Sequence, residues 1–226
     1  MKDKHKQSRA LMGFILALSL ITVSVGSYYI VKANNNRSGI EKIGHVQDKN
    51  NFYTLRNNAT EYQKELYAQL TEELSKPIKD DEKISELVAK SFVADYFTWS
   101  NKLRNNDVGG IQYIMKDYQK SVYDYATDTM YNDAYYYIQK GKVSETLEVT
   151  KINSTTTKDT FELISKDKKE PNEKIEGYRV SLNWEYKPST VVETSKYQNK
   201  ASIMVVKDTD GMFSIMEVTN GKEGQQ

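Results

Sequence analysis

Between Asn58 and Lys76 the large apolar side chains fall at Tyr62, Leu66, Leu70 and Leu74, one every four positions, as on a single helical stripe. Pro77, which cannot continue a helix, closes the segment. The pattern predicts an amphipathic helix over 58–76 that packs on the domain following it; the sustained heptads of a coiled coil are missing. A second helix follows, with Asp80 or Asp81 as its N-terminal cap and an apolar face of Ile84, Leu87, Val88, Phe92, Tyr96, Trp99 and Leu103. It is expected to stop in Asn105-Asn106-Asp107-Val108-Gly109-Gly110, whose residues tolerate positive φ and bond their own backbone. Those glycines lack the flanking strand and spacing of a phosphate-binding loop. Helical spacing resumes with Ile111, Ile114, Met115, Tyr118, Val122, Tyr125 and Ala126, and a further helix is expected from about Asp128 to Gln139.

Beyond Gly141 the period shortens from helix to strand. VSETLEVTKI alternates Val143, Leu147 and Val149 with polar residues, DTFELIS repeats the pattern, and GYRVSLNWEY puts Tyr178, Val180, Leu182, Trp184 and Tyr186 on one face. Polar turns are expected at Asn153-Ser-Thr-Thr-Thr and between Asp167 and Glu173. ASIMVVKD and MFSIMEV, joined by Thr209-Asp210-Gly211, read as a hairpin. Asp208 and Asp210 do not make a calcium loop, because Val206 stands where the first acidic ligand belongs. Helices followed by four or five antiparallel strands predict an α+β domain, its helices covering the apolar face of a curved antiparallel sheet.

Ahead of this domain, Ala10 to Val31 carries 22 residues without a charge, ALMGFILALSLITVSVGSYYIV, in a chain whose mean hydropathy is -0.71. At ~1.5 Å per residue such a run matches the ~30 Å hydrocarbon layer of a membrane, and it exceeds the ~7–15 residues of a secretory h-region. An uncleaved transmembrane helix over 10–31 is therefore expected, although Val31-Lys32-Ala33 imitates a cleavage site. Lys2, Lys4, Lys6 and Arg9 before the run orient a short tail, 1–9, to the cytoplasm and the rest of the chain outside the cell membrane. Residues 32–57, rich in Asn, Lys and Gly, read as a linker, 58–219 as the extracytoplasmic domain and 220–226 as a polar tail.

Charge and chemistry narrow what the domain does. Lys and Arg number 32 against 31 Asp and Glu, so no global field favours nucleic acid as a partner. No cysteine is present, which excludes disulfides, thiolate nucleophiles and cysteine metal sites. The two histidines, His5 and His45, fall in the tail and the linker, so triads and histidine metal sites are not expected, nor is any cofactor. Carboxylates remain. Asp95, flanked by Phe92 and Tyr96, with Tyr125 on a neighbouring helix, is the candidate pair for a pocket; the other reading is a solvated helix-face Asp among core tyrosines. MYNDAYYYIQ gathers Tyr131, Tyr135, Tyr136 and Tyr137, and with Trp99 supplies the aromatic anchors that core packing or protein interfaces use. Trp99, Tyr131, Tyr135 and Tyr136 are the interface candidates.

The order of anchor, linker, helices and meander, carried by SFVADYFTWSNKLRNNDVGGIQYI (91–114) and the strands from Val143 to Val218, resembles the VirB8-like bitopic components of type IV secretion and conjugation machines, especially those of Gram-positive bacteria. The resemblance covers about 140 residues in organisation. It implies a cone-shaped fold of the nuclear-transport-factor-2-like or cystatin-like kind. It also implies a non-enzymatic, single-pass scaffold that docks with other membrane subunits of a secretion complex or with copies of itself. Two other readings stand beside it. One is an accessory scaffold of wall synthesis, division or sporulation; the other is a small-molecule-binding or isomerase-like pocket protein of the same cone-shaped kind.

Overall fold

The computed structural model describes residues 46–104, 106–163 and 173–220. The expected membrane segment, tail and first part of the linker, and most of the turn expected near Pro171, lie outside those residues. No helix among the described residues is long and apolar enough to cross a membrane.

The elements are mixed α+β. A two-stranded antiparallel hairpin, β1 (Val46–Lys49) and β2 (Thr54–Arg56), precedes two long helices, α1 (Glu61–Ser75) and α2 (Asp81–Tyr96). Two shorter helices, α3 (Gln119–Asp128) and α4 (Met130–Gln139), lead into β3 (Val149–Leu163), β4 (Glu173–Tyr186), β5 (Lys200–Lys207) and β6 (Phe213–Thr219). The last four strands form one antiparallel meander in sequence order.

Local chemistry sets the helix ends. Thr60 and Gln63 form a reciprocal capping box at the start of α1, and Asp80 accepts the Lys83 N–H at the start of α2. The stripe of α1 buries Leu66 and Leu70 against α2, while Ile84, Leu87, Val88 and Phe92 of α2 enter the core over the sheet. From the sheet come Val180, Leu182 and Trp184 of β4, Ile203 and Val205 of β5 and Phe213 and Ile215 of β6. Phe97 meets Trp184 at 4.6 Å between ring centroids, which joins the end of α2 to the sheet.

Four expectations are corrected. The linker expected to run to residue 57 is folded from Val46: Tyr53 is fully buried and its hydroxyl donates to the Phe213 carbonyl at 2.6 Å. The second helix stops at Tyr96 rather than near Leu103, because the chain then turns to donate the Trp99 and Ser100 N–H groups to the Leu147 carbonyl. The helix expected over 111–126 becomes two 3-10 turns, Ile111–Tyr113 and Lys116–Tyr118, ahead of α3. Between those turns Ile114 lies parallel to Ile215, and the Met115 N–H donates to the Ile215 carbonyl at 3.0 Å. Finally, no turn interrupts Asn153 to Thr157: β3 runs through it, with Asn153 opposite Asn183 and Thr157 opposite Arg179. Branched threonine side chains suit a pleated strand once a partner supplies the hydrogen bonds.

Candidate functional site

The stretch from Ser91 to Gly110 builds a buried charge cluster. Lys102 is 1% exposed, and its ammonium donates to the Asp95 carboxylate at 2.8 Å and to the Asp95 carbonyl at 3.0 Å. The other carboxylate oxygen of Asp95 accepts the Gly110 N–H at 2.7 Å. Beside this pair Arg56, at the end of β2, binds Asp107 and donates to the Val108 carbonyl at 3.0 Å. Asp107 also accepts the Leu103 N–H at 3.2 Å, so two cations and two carboxylates close on one another. Burial alone would push the Asp95 carboxyl up. Lys102, Arg56 and the Gly110 N–H overcome it and hold the group well below the usual carboxylate range.

The glycines are there because nothing larger fits. A Cβ on Gly109 would stand 2.1 Å from the Asp95 carbonyl oxygen, and Gly110, at φ 77°, lies against the Phe92 ring. Their N–H groups, freed from any helix, reach Tyr131 and Asp95: the Gly109 N–H donates to the Tyr131 hydroxyl at 2.9 Å, which in turn donates to the Tyr96 carbonyl at 2.8 Å. The turn expected at 105–110 thus binds a protein carboxylate.

The structure does not bring Asp95 and Tyr125 together as a site. The tyrosines that feel the Asp95 charge are Tyr113 and Tyr131, while Tyr125 is half-buried on α3 and acts on Tyr96. Beside Asp95 lies a crevice of only about 20 Å³, lined by Thr54, Arg56, Gln63, Ser91 and Tyr113. That is space for about one water. A carboxylate tied by one donor on each oxygen and beside so small a space has no room for a substrate in this arrangement. Among the described residues no three His, Asp or Glu side chains converge as metal ligands would.

The aromatic candidates divide. Trp99 and Tyr131 are core residues, 0% and 1% exposed, so neither presents an interface as expected. Trp99 packs edge-on against Tyr197 at 5.1 Å and faces Tyr137 at 6.4 Å. Its buried indole N–H has no hydrogen-bond partner. Tyr135 and Tyr136 on α4 do face solvent, at 40% and 58% exposure, and Lys140 lies 5.7 Å from the Tyr136 ring centre. Sequence reasoning missed Lys102 and Arg56, since a lysine inside an apolar period signals a solvated face unless its partner is known.

A larger concavity of about 570 Å³ opens to solvent between the start of α1 and the start of β3, lined by Glu61, Glu65, Ser100, Ser144, Glu148 and Thr150. Ser100 donates to Glu148 across it at 2.8 Å. Its lining residues are polar apart from Tyr62, and it lies open to solvent rather than enclosing a small molecule.

No known family, curated protein or solved structure matches the chain.

Proposed function

We propose that this chain is a membrane-anchored, non-enzymatic assembly subunit of a cell-envelope machine, a VirB8-like component of a conjugative or type IV secretion channel. In this reading residues 10–31 cross the cell membrane, the N-terminus is cytoplasmic, and the folded domain is a nuclear-transport-factor-2-like cone outside. The observation that carries the reading is the state of the interior. The pocket candidate Asp95 is committed to Lys102 and Gly110, and the space beside it holds about one water. What the domain leaves to other molecules is surface, including the exposed Tyr135 and Tyr136 of α4. Such rings supply interface anchors, and tethering in one membrane lets individually weak contacts build an assembly. The run of helices ahead of a four-stranded antiparallel meander supports the cone, and the uncharged run with its basic flank supports the anchor.

The test is a photoreactive residue at Tyr136 in the full-length chain in its native membrane, with captured proteins identified by mass spectrometry. Capture of channel or coupling subunits is the expected result. Capture of wall-synthesis, division or sporulation proteins replaces the machine, and turnover of a small molecule that is lost in Asp95→Asn overturns the scaffold reading altogether.

A further inference from the structure

We propose that the crevice between β2, α2 and the 3-10 turn at Ile111–Tyr113 is a binding site for a single water molecule, held by Ser91, Tyr113, Asp95 and Arg56. The site belongs to the interior of the domain and holds whichever machine the chain serves.

Ser91 stands four residues before Asp95 on α2, so the two side chains leave the helix on one face. The residue is only 5% exposed, and its hydroxyl, shielded from solvent, meets no protein hydrogen-bond partner. Buried polar groups are satisfied in nearly all folded proteins, so this one asks for a partner. It lines the crevice of about 20 Å³ beside Asp95.

The other polar walls are spent elsewhere. Gln63 donates to the Ala94 carbonyl at 2.9 Å, and its side-chain oxygen accepts the Thr60 N–H and the Asn101 amide, each at 2.9 Å. Gln112 accepts the Thr54 N–H at 2.8 Å and the Thr54 hydroxyl at 2.9 Å, and donates back to the Thr54 carbonyl at 2.9 Å. The neighbour that remains is the Tyr113 hydroxyl, which feels Ser91 and the Asp95 charge without reaching Ser91 in hydrogen-bond geometry.

Across the same crevice two charges act on each other through a gap. Burial would lower the Arg56 pKa, and Asp95 is the first of the charges that outweigh it. Yet the guanidinium donates to Asp107 and the Val108 carbonyl, not to Asp95. An arginine carries five N–H donors and a carboxylate about four acceptor positions. The bonds to Asp107 and Val108 use two of the first, and those from Lys102 and Gly110 two of the second, so each group keeps capacity for one more.

Size and charge select the occupant. A water needs ~10–15 Å³ of such space and 2–4 polar partners, whereas cavities that stay dry are apolar. A cation there would meet the guanidinium and an anion the carboxylate, with little solvent to screen the repulsion. A water donates to Asp95, accepts from Arg56, and has the Ser91 and Tyr113 hydroxyls for its remaining bonds.

The test is oxygen-17 magnetic relaxation dispersion of the solvent around the full-length protein in detergent, which counts waters that stay bound longer than the molecule tumbles. Ser91→Val puts a methyl group into the crevice and removes the hydroxyl; Ser91→Thr adds the methyl and keeps the hydroxyl, and is the milder change. In both, the amplitude is expected to fall by one water relative to wild type. An unchanged amplitude in either variant, with the circular dichroism of wild type, would overturn the proposal. So would a wild-type amplitude that changes when sodium or chloride is exchanged for a larger ion at constant ionic strength, which would put an ion at the site.

Discussion

Replacing Asp95 by Asn removes one charge and almost no volume from the centre of the cluster. The Asn side-chain oxygen can still accept the Gly110 N–H, so what is lost is the anionic partner of Lys102. That ammonium is 1% exposed and cannot recover its hydration without opening the segment from Phe97 to Gly110. Breaking one side of a buried ion pair typically costs ~3–5 kcal/mol, and the low end applies because the Asp95 carbonyl still accepts at 3.0 Å and Asp107 remains nearby. About 3 kcal/mol corresponds to a fall in Tm of roughly 6–12 °C for a domain of this size. Thermal and urea unfolding followed by tryptophan fluorescence read it directly, because Trp99 and Trp184 are both buried. The double variant Asp95→Asn with Lys102→Met removes the stranded cation as well, and should recover to within about 1 kcal/mol of wild type. Acid unfolding adds a second arm. The Asp95 carboxyl is held below its unfolded value, so its contribution is complete above ~3.9 and is lost as pH falls from there toward the folded value. Asp95→Asn should flatten that part of the stability curve. A single variant within about 0.5 kcal/mol of wild type, or a double variant no better than Asp95→Asn, would refute the ion-pair argument.

Gly109→Ala should be more damaging than any surface change, because its Cβ would meet the Asp95 carbonyl oxygen at 2.1 Å; loss of the cooperative unfolding transition in calorimetry is the expected readout. Tyr53→Phe leaves the Phe213 carbonyl without its donor and should cost about 1–2 kcal/mol in urea unfolding, whereas no change would mean that the β1–β2 hairpin does not support the sheet. Burial would raise the Glu86 carboxyl, but hydrogen bonds from Lys83, Lys90 and Ser154 pull it down to about 2. Its contribution is therefore present above ~4.3 and is lost between there and about 2. Glu86→Gln should flatten acid unfolding across that window by less than about 1 kcal/mol, since the group is part-exposed.

Periodicity carried much of the fold. The spacing of Leu66 and Leu70, and of Ile84, Leu87, Val88 and Phe92, marked two helices whose buried faces are those residues, and alternation marked Val180, Leu182 and Trp184 of β4. It failed where a tertiary bond replaced a local one. Leu103 lay on the apolar stripe but is 65% exposed, while its polar neighbour Lys102 is inside, because Asp95 rather than a hydrophobic contact sets the direction of that turn. Ile114 and Tyr118 kept helical spacing although Ile114 bridges Ile215 of β6 and Lys116–Tyr118 forms a 3-10 turn; burial recurs every few residues in either geometry. Tyr53 was invisible in a polar segment, since one aromatic ring makes no period. Asp95 was legible as a carboxylate among aromatics. Its partners were not, because Arg56 and Lys102 lie 39 residues before it and 7 after it, and only the folded chain brings them together.

These bonds also determine how the domain is held at its front. Chain preceding Val46 enters the fold through the β1–β2 hairpin, and two side chains of that hairpin reach far in sequence: Tyr53 to Phe213 of β6, and Arg56 to Asp107 and Val108 beside the double glycine. One ties the hairpin to the sheet and the other to the charge cluster that orders the turn after α2. A pull on the segment before Val46 is therefore shared between the sheet and the turn rather than borne by a single flexible stalk. Loss of either link should loosen the front of the domain while leaving the β3–β4 ladder intact, because no described hydrogen bond runs between β2 and those strands. Hydrogen exchange on Tyr53→Phe and Arg56→Met separates the two routes. Tyr53→Phe should speed exchange at β6, and Arg56→Met at Val108 to Gly110, whereas equal loss of protection across all four sheet strands in both variants would mean that the hairpin is part of one indivisible core.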